Sequence, residues 1–215
     1  MLFSNVTTEN DARKLIWRLP NSERGDAALA LYNRRSIVGP NVVLAGLLNA
    51  WDHDHGWVLS AFGSEQAFAD AIRLVAPPTK RTTPVRAWRG VSRLEYADGI
   101  SWTTDRDCAC WFALRFPDPD HNPLVFVTDV HPSAILVEHG ERNESEILVD
   151  PALLAWHRIV LDDGRPDELA FELGDIDADG GGCVLPEGIV DWKEAKQRHI
   201  LRRIENEKST LGRAP

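Results

Sequence analysis

The sequence predicts an α+β fold: a helical N-terminal region, then a strand-rich core, then a helical tail. Three observations predict it. Apolar residues recur at three-to-four spacing from the N-terminus to Ala76. After Pro84 the period changes towards alternation, in short runs rich in Val, Ile and Leu. Beyond the Gly180-Gly181-Gly182 loop, a last helical pattern runs from Trp192 to about Glu207.

The helical pattern covers Ala12 to Leu19, Asp26 to Asn33, Val42 to Trp51 and Glu65 to Val75. Pro20, Pro40 and the Pro77-Pro78 pair punctuate it, and Asn21-Ser22 and Gly63-Ser64 read as helix entries. Strand-like runs follow at Val85–Val91, Leu124–Val130, Ala134–Val137, Glu146–Val149, His157–Leu161 and Glu168–Leu173, with one helix interposed at Asp105–Phe116. The expected organisation is therefore a helical region over 1–78, a core over 79–175, and a loop with a C-terminal helix packed on the core over 176–215.

At 215 residues, 43% hydrophobic and 27% charged, the chain has the composition of a globular protein able to bury a full core. No apolar run approaches the ~20 residues needed to span a bilayer, so no membrane partner is expected. The start, MLFSNVTTENDARK, lacks a basic segment followed by a long apolar one. The three cysteines, Cys108, Cys110 and Cys183, show neither disulfide nor zinc spacing and read as buried thiols. These features fit the cytoplasm, or delivery into a target cell's cytoplasm without a classical signal peptide. A net charge of −9 argues against non-specific grip on a phosphate backbone, which requires clustered cations, but leaves room for a local basic site.

Chemistry concentrates between Val85 and Pro151. In Val85–Val91, strand alternation sets Arg89 with Val85, Ala87 and Val91 on one face. A guanidinium in such company requires an anionic partner. Arg89 then reads either as a phosphate clamp, with side-chain-free Gly90 letting a ligand approach, or as one half of an internal salt bridge. A slip of one register position would instead expose it. Ser101 and Thr103 share a face of the next strand with Trp102 opposite, and Thr104 or Asp105 caps the helix that follows. Trp111 and Phe112 on that helix read as core.

Glu146 opens a later strand, and Glu144 falls on the same face if it already belongs to that strand, while Ile147 and Val149 face the core. Neighbouring carboxylates repel, which favours one protonated form or a nearby cation. Such a pair also suits cleavage of a glycosidic bond: an oxocarbenium-like transition state is stabilised by negative charge, and proton transfer needs a base. Two solvated carboxylates before an edge strand are the plainer alternative.

In this order Arg89, Ser101-Trp102-Thr103 and Glu144-Ser145-Glu146, within WRGV, GISWTTDRDCACWFA and GERNESEILVDP, resemble the Arg-Ser-Glu class of ADP-ribosyltransferases. That class includes bacterial toxins and arginine-modifying enzymes. The likeness covers Pro84 to Pro151. It implies a core of two small packed β-sheets around a cleft that binds NAD as substrate. Arg89, with Gly90, would meet the NAD phosphates or the nicotinamide ribose. Ser101 would hold the catalytic glutamate and the nicotinamide side of NAD, with Thr103 supporting it and Trp102 also on the cofactor side. Glu146 would stabilise the oxocarbenium ion, and Glu144 would orient or deprotonate the acceptor. The family's Ser-Thr-Ser reads Ser-Trp-Thr here, which weakens the assignment of Thr103. The implied activity is mono-ADP-ribosylation of a macromolecule, most simply arginine in a protein, with nucleic acid as the other acceptor class. A toxin, effector or phage modifier of this kind would have an antitoxin or immunity protein as partner. NAD hydrolysis and non-enzymatic binding on the same fold are the competing functions.

Other motifs carry less. His53-Asp54-His55 reads as a surface loop, since two adjacent histidines without a third ligand rarely bind metal, and no metal is expected. The Gly180–Gly182 run lacks the Lys-Ser/Thr of a phosphate-binding loop.

Overall fold

A computed structural model of the protein describes residues 5–92, 96–97, 99–114, 124–140, 145–154 and 160–161. The chain divides into two compact units: Met1–Lys80 with Asp150–Ala152, and Arg81–Val149 with Leu153–Pro215. The expected strand at Glu168–Leu173, most of that at His157–Leu161, Cys183 and the whole 176–215 region lie outside the described residues.

In the first unit, α1 (Glu9–Arg18) begins at Thr8. The Thr8 hydroxyl accepts the Asp11 N–H at 3.2 Å, and the Asp11 carboxylate accepts the Thr8 N–H at 3.0 Å, so each side chain satisfies an amide the helix leaves open. The Thr8 hydroxyl, and then the backbone amides of Thr7 and Thr8, hold the Asp11 carboxyl below its usual pKa. α2 (Asn21–Asn33) starts directly after Pro20 and before the apolar spacing does, because its first turn is polar. α3 (Arg35–Val38) is one turn long. Gly39, at φ +88, then redirects the chain into α4 (Pro40–Phe62), where Pro40 opens the helix because a first-turn residue needs no N–H partner.

The spacing predicts that α4 ends near Trp51, yet it continues to Phe62 across a kink at Asp54 (φ −153, ψ 51). Arg24 accounts for this. Its Nη1 meets Asp54 Oδ2 at 2.7 Å, with the two side chains only 11% and 8% exposed. Its Nε and Nη2 donate to the Leu19 and Trp17 carbonyls at 3.1 and 3.3 Å. His53-Asp54-His55 is therefore a helical segment where a loop was expected; His53 and His55 are exposed, as expected, while Asp54 is pinned by a buried ion pair. Among the described residues no group of His, Cys, Asp and Glu side chains could hold a metal ion.

α5 (Glu65–Val75) starts at Ser64, whose hydroxyl accepts the Ala67 N–H at 3.1 Å. Ile16, Leu31, Val43, Leu47, Phe68 and Ile72 are fully buried, and Trp51 stacks on Phe68 with ring centroids 4.8 Å apart. Asp150 joins this unit through Gln66, at 3.3 Å, and an ion pair with Arg73. No helix among the described residues is long and apolar enough to cross a membrane.

Among the described residues, the second unit is an antiparallel sheet with one helix on it. Its strands are β1 (Val85–Val91), β2 (Ser101–Thr103), β3 (Leu124–Val130), β4 (Ile135–His139), β5 (Glu146–Val149) and β6 (Val160–Leu161), with α6 (Arg106–Leu114) between β2 and β3. The spatial order is β4-β5-β2-β1-β3-β6. Where two packed sheets were expected, the described strands form a single one, because β1 pairs with β2 on one edge and β3 on the other. β4 starts one residue later than the pattern suggests, since Pro132–Ala134 forms a 3₁₀ turn. One face buries Ala87, Val91, Trp102, Phe126, Ile147 and Val149. Against the other, α6 packs Ala109, Cys110 and Ala113 on Val125, with Trp88 and Trp111 alongside.

Candidate active site

Register determines which side chains meet. Trp88 on β1 pairs with Thr103 on β2, Thr103 with Glu146 on β5, and Glu146 with His139 on β4. Residues directly opposite in a sheet share a face, with Cβ atoms about 4.5–5.5 Å apart. Trp88, Thr103, Glu146 and His139 therefore stand in one transverse row. Ser101 shares this face, two residues from Thr103 along β2.

Ser101 Oγ donates to Glu146 Oε1 at 2.5 Å. A hydroxyl donating to an ionised carboxylate makes a charge-assisted bond stronger than one between neutral groups. Both side chains are half-buried. Behind Glu146, Ser145 adopts φ +47, a left-handed conformation rare for a residue with a side chain. Its carbonyl accepts the Thr104 N–H at 3.0 Å, which ties the entrance of β5 to the turn between β2 and α6. Strain anchored in this way fixes where Glu146 enters the sheet. Glu144 lies outside the described residues.

Arg89 reaches the same serine from another direction. Alternation puts it with Ala87 and Val91, on the face opposite Trp88. Its Nη1 donates to the Ser101 carbonyl at 2.6 Å, while Nε and Nη2 donate to the Tyr96 carbonyl at 3.0 and 2.9 Å. Arg89 thus braces the approach to β2, and Ser101 links it through the backbone to Glu146 on its side chain. Gly99 makes this fit: a Cβ there would lie 1.9 Å from Arg89 Nη2. Neither the Tyr96 carbonyl nor Gly99 could be found from sequence, since both act through backbone atoms.

Three residues expected on the cofactor side have other work. Gly90 leaves room for protein, not ligand: a Cβ would sit 1.6 Å from the Ala109 carbonyl oxygen, so the glycine admits α6 against β1. Trp102 is 1% exposed in the core of the opposite face and donates its indole N–H to the Gly99 carbonyl at 3.0 Å. Thr103 is buried, and its hydroxyl accepts the Asp105 N–H at 3.0 Å, closing the turn into α6. Asp105, not Thr104, caps that helix, taking the N–H groups of Asp107 and Cys108 at 2.9 and 3.3 Å. Cys108 and Cys110 are buried on α6.

Comparison with protein-family models, with curated proteins and with solved structures finds no match to this chain. The site comprises a half-buried carboxylate oriented by a serine hydroxyl, a guanidinium bracing that serine's strand, a buried imidazole on the flanking strand, and a half-buried indole at the other end of the row. A fixed carboxylate of this kind can stabilise a cationic transition state, because its negative charge is aimed before the reaction begins.

Proposed function

We propose that the protein is an NAD-dependent mono-ADP-ribosyltransferase built on an ADP-ribosyltransferase-like core. The observation that supports this reading is the Ser101–Glu146 hydrogen bond at 2.5 Å, with Arg89 on the Ser101 carbonyl. In the reaction the bond between the nicotinamide nitrogen and ribose C1′ breaks, and neutral nicotinamide leaves with the electron pair. C1′ becomes oxocarbenium-like, Glu146 stabilises that positive charge, and an acceptor nucleophile bonds to C1′ and loses a proton. Ser101 holds the carboxylate in register with the ribose. Arg89 keeps the Tyr96–Ser101 segment in place and, by the resemblance, would also lend positive charge to the pyrophosphate. Glu144 would receive the acceptor's proton.

The Ser101–Glu146 pair bears on the cleavage half of the reaction, which is common to transfer and to hydrolysis. NAD hydrolysis, with water as the acceptor, is therefore the second reading. Incubation with labelled NAD and a cell extract, followed by protease and nuclease digestion, separates the two. Label on a macromolecule supports transfer, and its fate under digestion identifies protein or nucleic acid. Label only in free ADP-ribose supports hydrolysis. NAD binding without nicotinamide release would leave a binding module and overturn both. Arg89→Ala is expected to weaken NAD binding in calorimetric titration; unchanged affinity would restrict Arg89 to its bracing role.

A further inference from the structure

Glu146 has a neighbour on the side away from Ser101. His139 ends β4, and its partner in the antiparallel register is Glu146 itself. The order β4-β5-β2 puts Glu146 between His139 and the strand of Ser101 and Thr103. His139 is 9% exposed, so its ring is largely removed from water. Position and burial together set an imidazole beside the carboxylate, at the Cβ spacing of about 4.5–5.5 Å typical of directly opposed residues.

We propose that His139 is a positioning residue of this site, its imidazole acting on the Glu146 carboxylate from β4 while Ser101 holds it from β2. The charge coupling between the His139 ring and the Glu146 carboxylate rests on register and burial; its consequence for NAD cleavage rests on the function proposed above. A protonated His139 pairs with Glu146 and draws its negative charge away from the ribose. A neutral His139 leaves that charge on the reacting centre. Cleavage therefore rises with pH through the titration of His139.

The surroundings identify Glu146 as the group that matters. Along β4 the same face carries Val137, and along β5 it carries Leu148, both apolar. Glu138 belongs to the opposite face, where it pairs with Arg81 at 2.9 Å. β2 contributes the hydroxyls of Ser101 and Thr103. The charged residues at the start of α6, which packs on this face of the sheet, are Asp105, its cap, followed by Arg106 and Asp107.

Two opposing effects act on the imidazole: burial disfavours its charged form, and a carboxylate favours it. Burial is the same in the wild type and in Glu146→Gln, so the difference between those proteins isolates the pair. The experiment is an NMR titration of the His139 ring, assigned through its strand neighbours, in the wild type and in Glu146→Gln. The titration midpoint is expected to fall in the variant, by on the order of one pH unit or more. An unchanged midpoint, or a ring that titrates in neither protein, overturns the proposal. In parallel, nicotinamide release is measured against pH in the wild type and in His139→Asn, which keeps a polar side chain but cannot titrate. A wild-type limb at the NMR midpoint that vanishes in His139→Asn is expected; an unaltered limb removes the catalytic consequence. If no variant releases nicotinamide at any pH, the proposed function fails while the titration still decides the pairing.

Discussion

In the helical unit the buried acids are closed by arginine. Asp54 meets Arg24 at 2.7 Å and Asp150 meets Arg73, each pair joining segments distant in the chain. In the sheet unit Glu146 receives a hydroxyl, and shares its row with Thr103, His139 and Trp88. A guanidinium orients a carboxylate and cancels its charge; a serine hydroxyl orients it and leaves the charge in place. The first arrangement holds a kinked helix together. The second keeps a negative charge pointed at whatever occupies that face.

The difference can be broken from either side. The largest effect on stability is expected from Asp54→Ala, which strands the Arg24 guanidinium in the interior at a cost of about 3–5 kcal/mol. Amide exchange in α2 and α4 should accelerate accordingly. A loss below about 1 kcal/mol would show that the kink does not depend on the ion pair. Ser101→Ala should act in the opposite manner. Thermal stability changes little, by about 0.5–1.5 kcal/mol for one hydrogen bond, while nicotinamide release falls on the order of 10²-fold because Glu146 loses its alignment. Comparable losses in both readouts would make the pair structural, like those of the helical unit.

Smaller effects sharpen the picture. Gly90→Ala drives a methyl into the Ala109 carbonyl, so α6 must shift, at about 1–3 kcal/mol. If the variant is as stable as the wild type but binds NAD poorly, Gly90 belongs to the ligand after all. Thr8→Ala removes the cap of α1 and should cost about 1 kcal/mol by denaturant titration, with no effect on NAD cleavage.

Legibility in the sequence followed the range of the interaction. β1, β3 and β5 have the bounds that alternation indicates, and α5 is framed by Gly63-Ser64 and its apolar stripe, because these signals are local. α4 was cut short because the partner that stabilises its kink, Arg24, is thirty residues from Asp54. Gly90 shows the same limit: a glycine in a strand announces close approach, but only the path of α6 shows that the Ala109 carbonyl comes close. Ser101 and Glu146 could be named as a pair from their motifs, whereas His139 could not. It stands in an ordinary V-E-H strand end, and it joins the site only when the β4–β5 register is known. Trp102 was legible in part, since alternation sets it opposite the hydroxyls, on the face that is core.

Glu146→Gln isolates the charge that Glu146 is proposed to supply to the transition state. Glutamine keeps the shape and can still accept the Ser101 hydroxyl, but it removes the negative charge. Nicotinamide release from NAD by the purified variant, measured beside the wild type at equal thermal stability, is expected to fall by about a hundredfold or more. Turnover within a few fold of the wild type in a variant that folds normally would contradict the account, because the Ser101–Glu146 pair would then be holding the sheet together and nothing else.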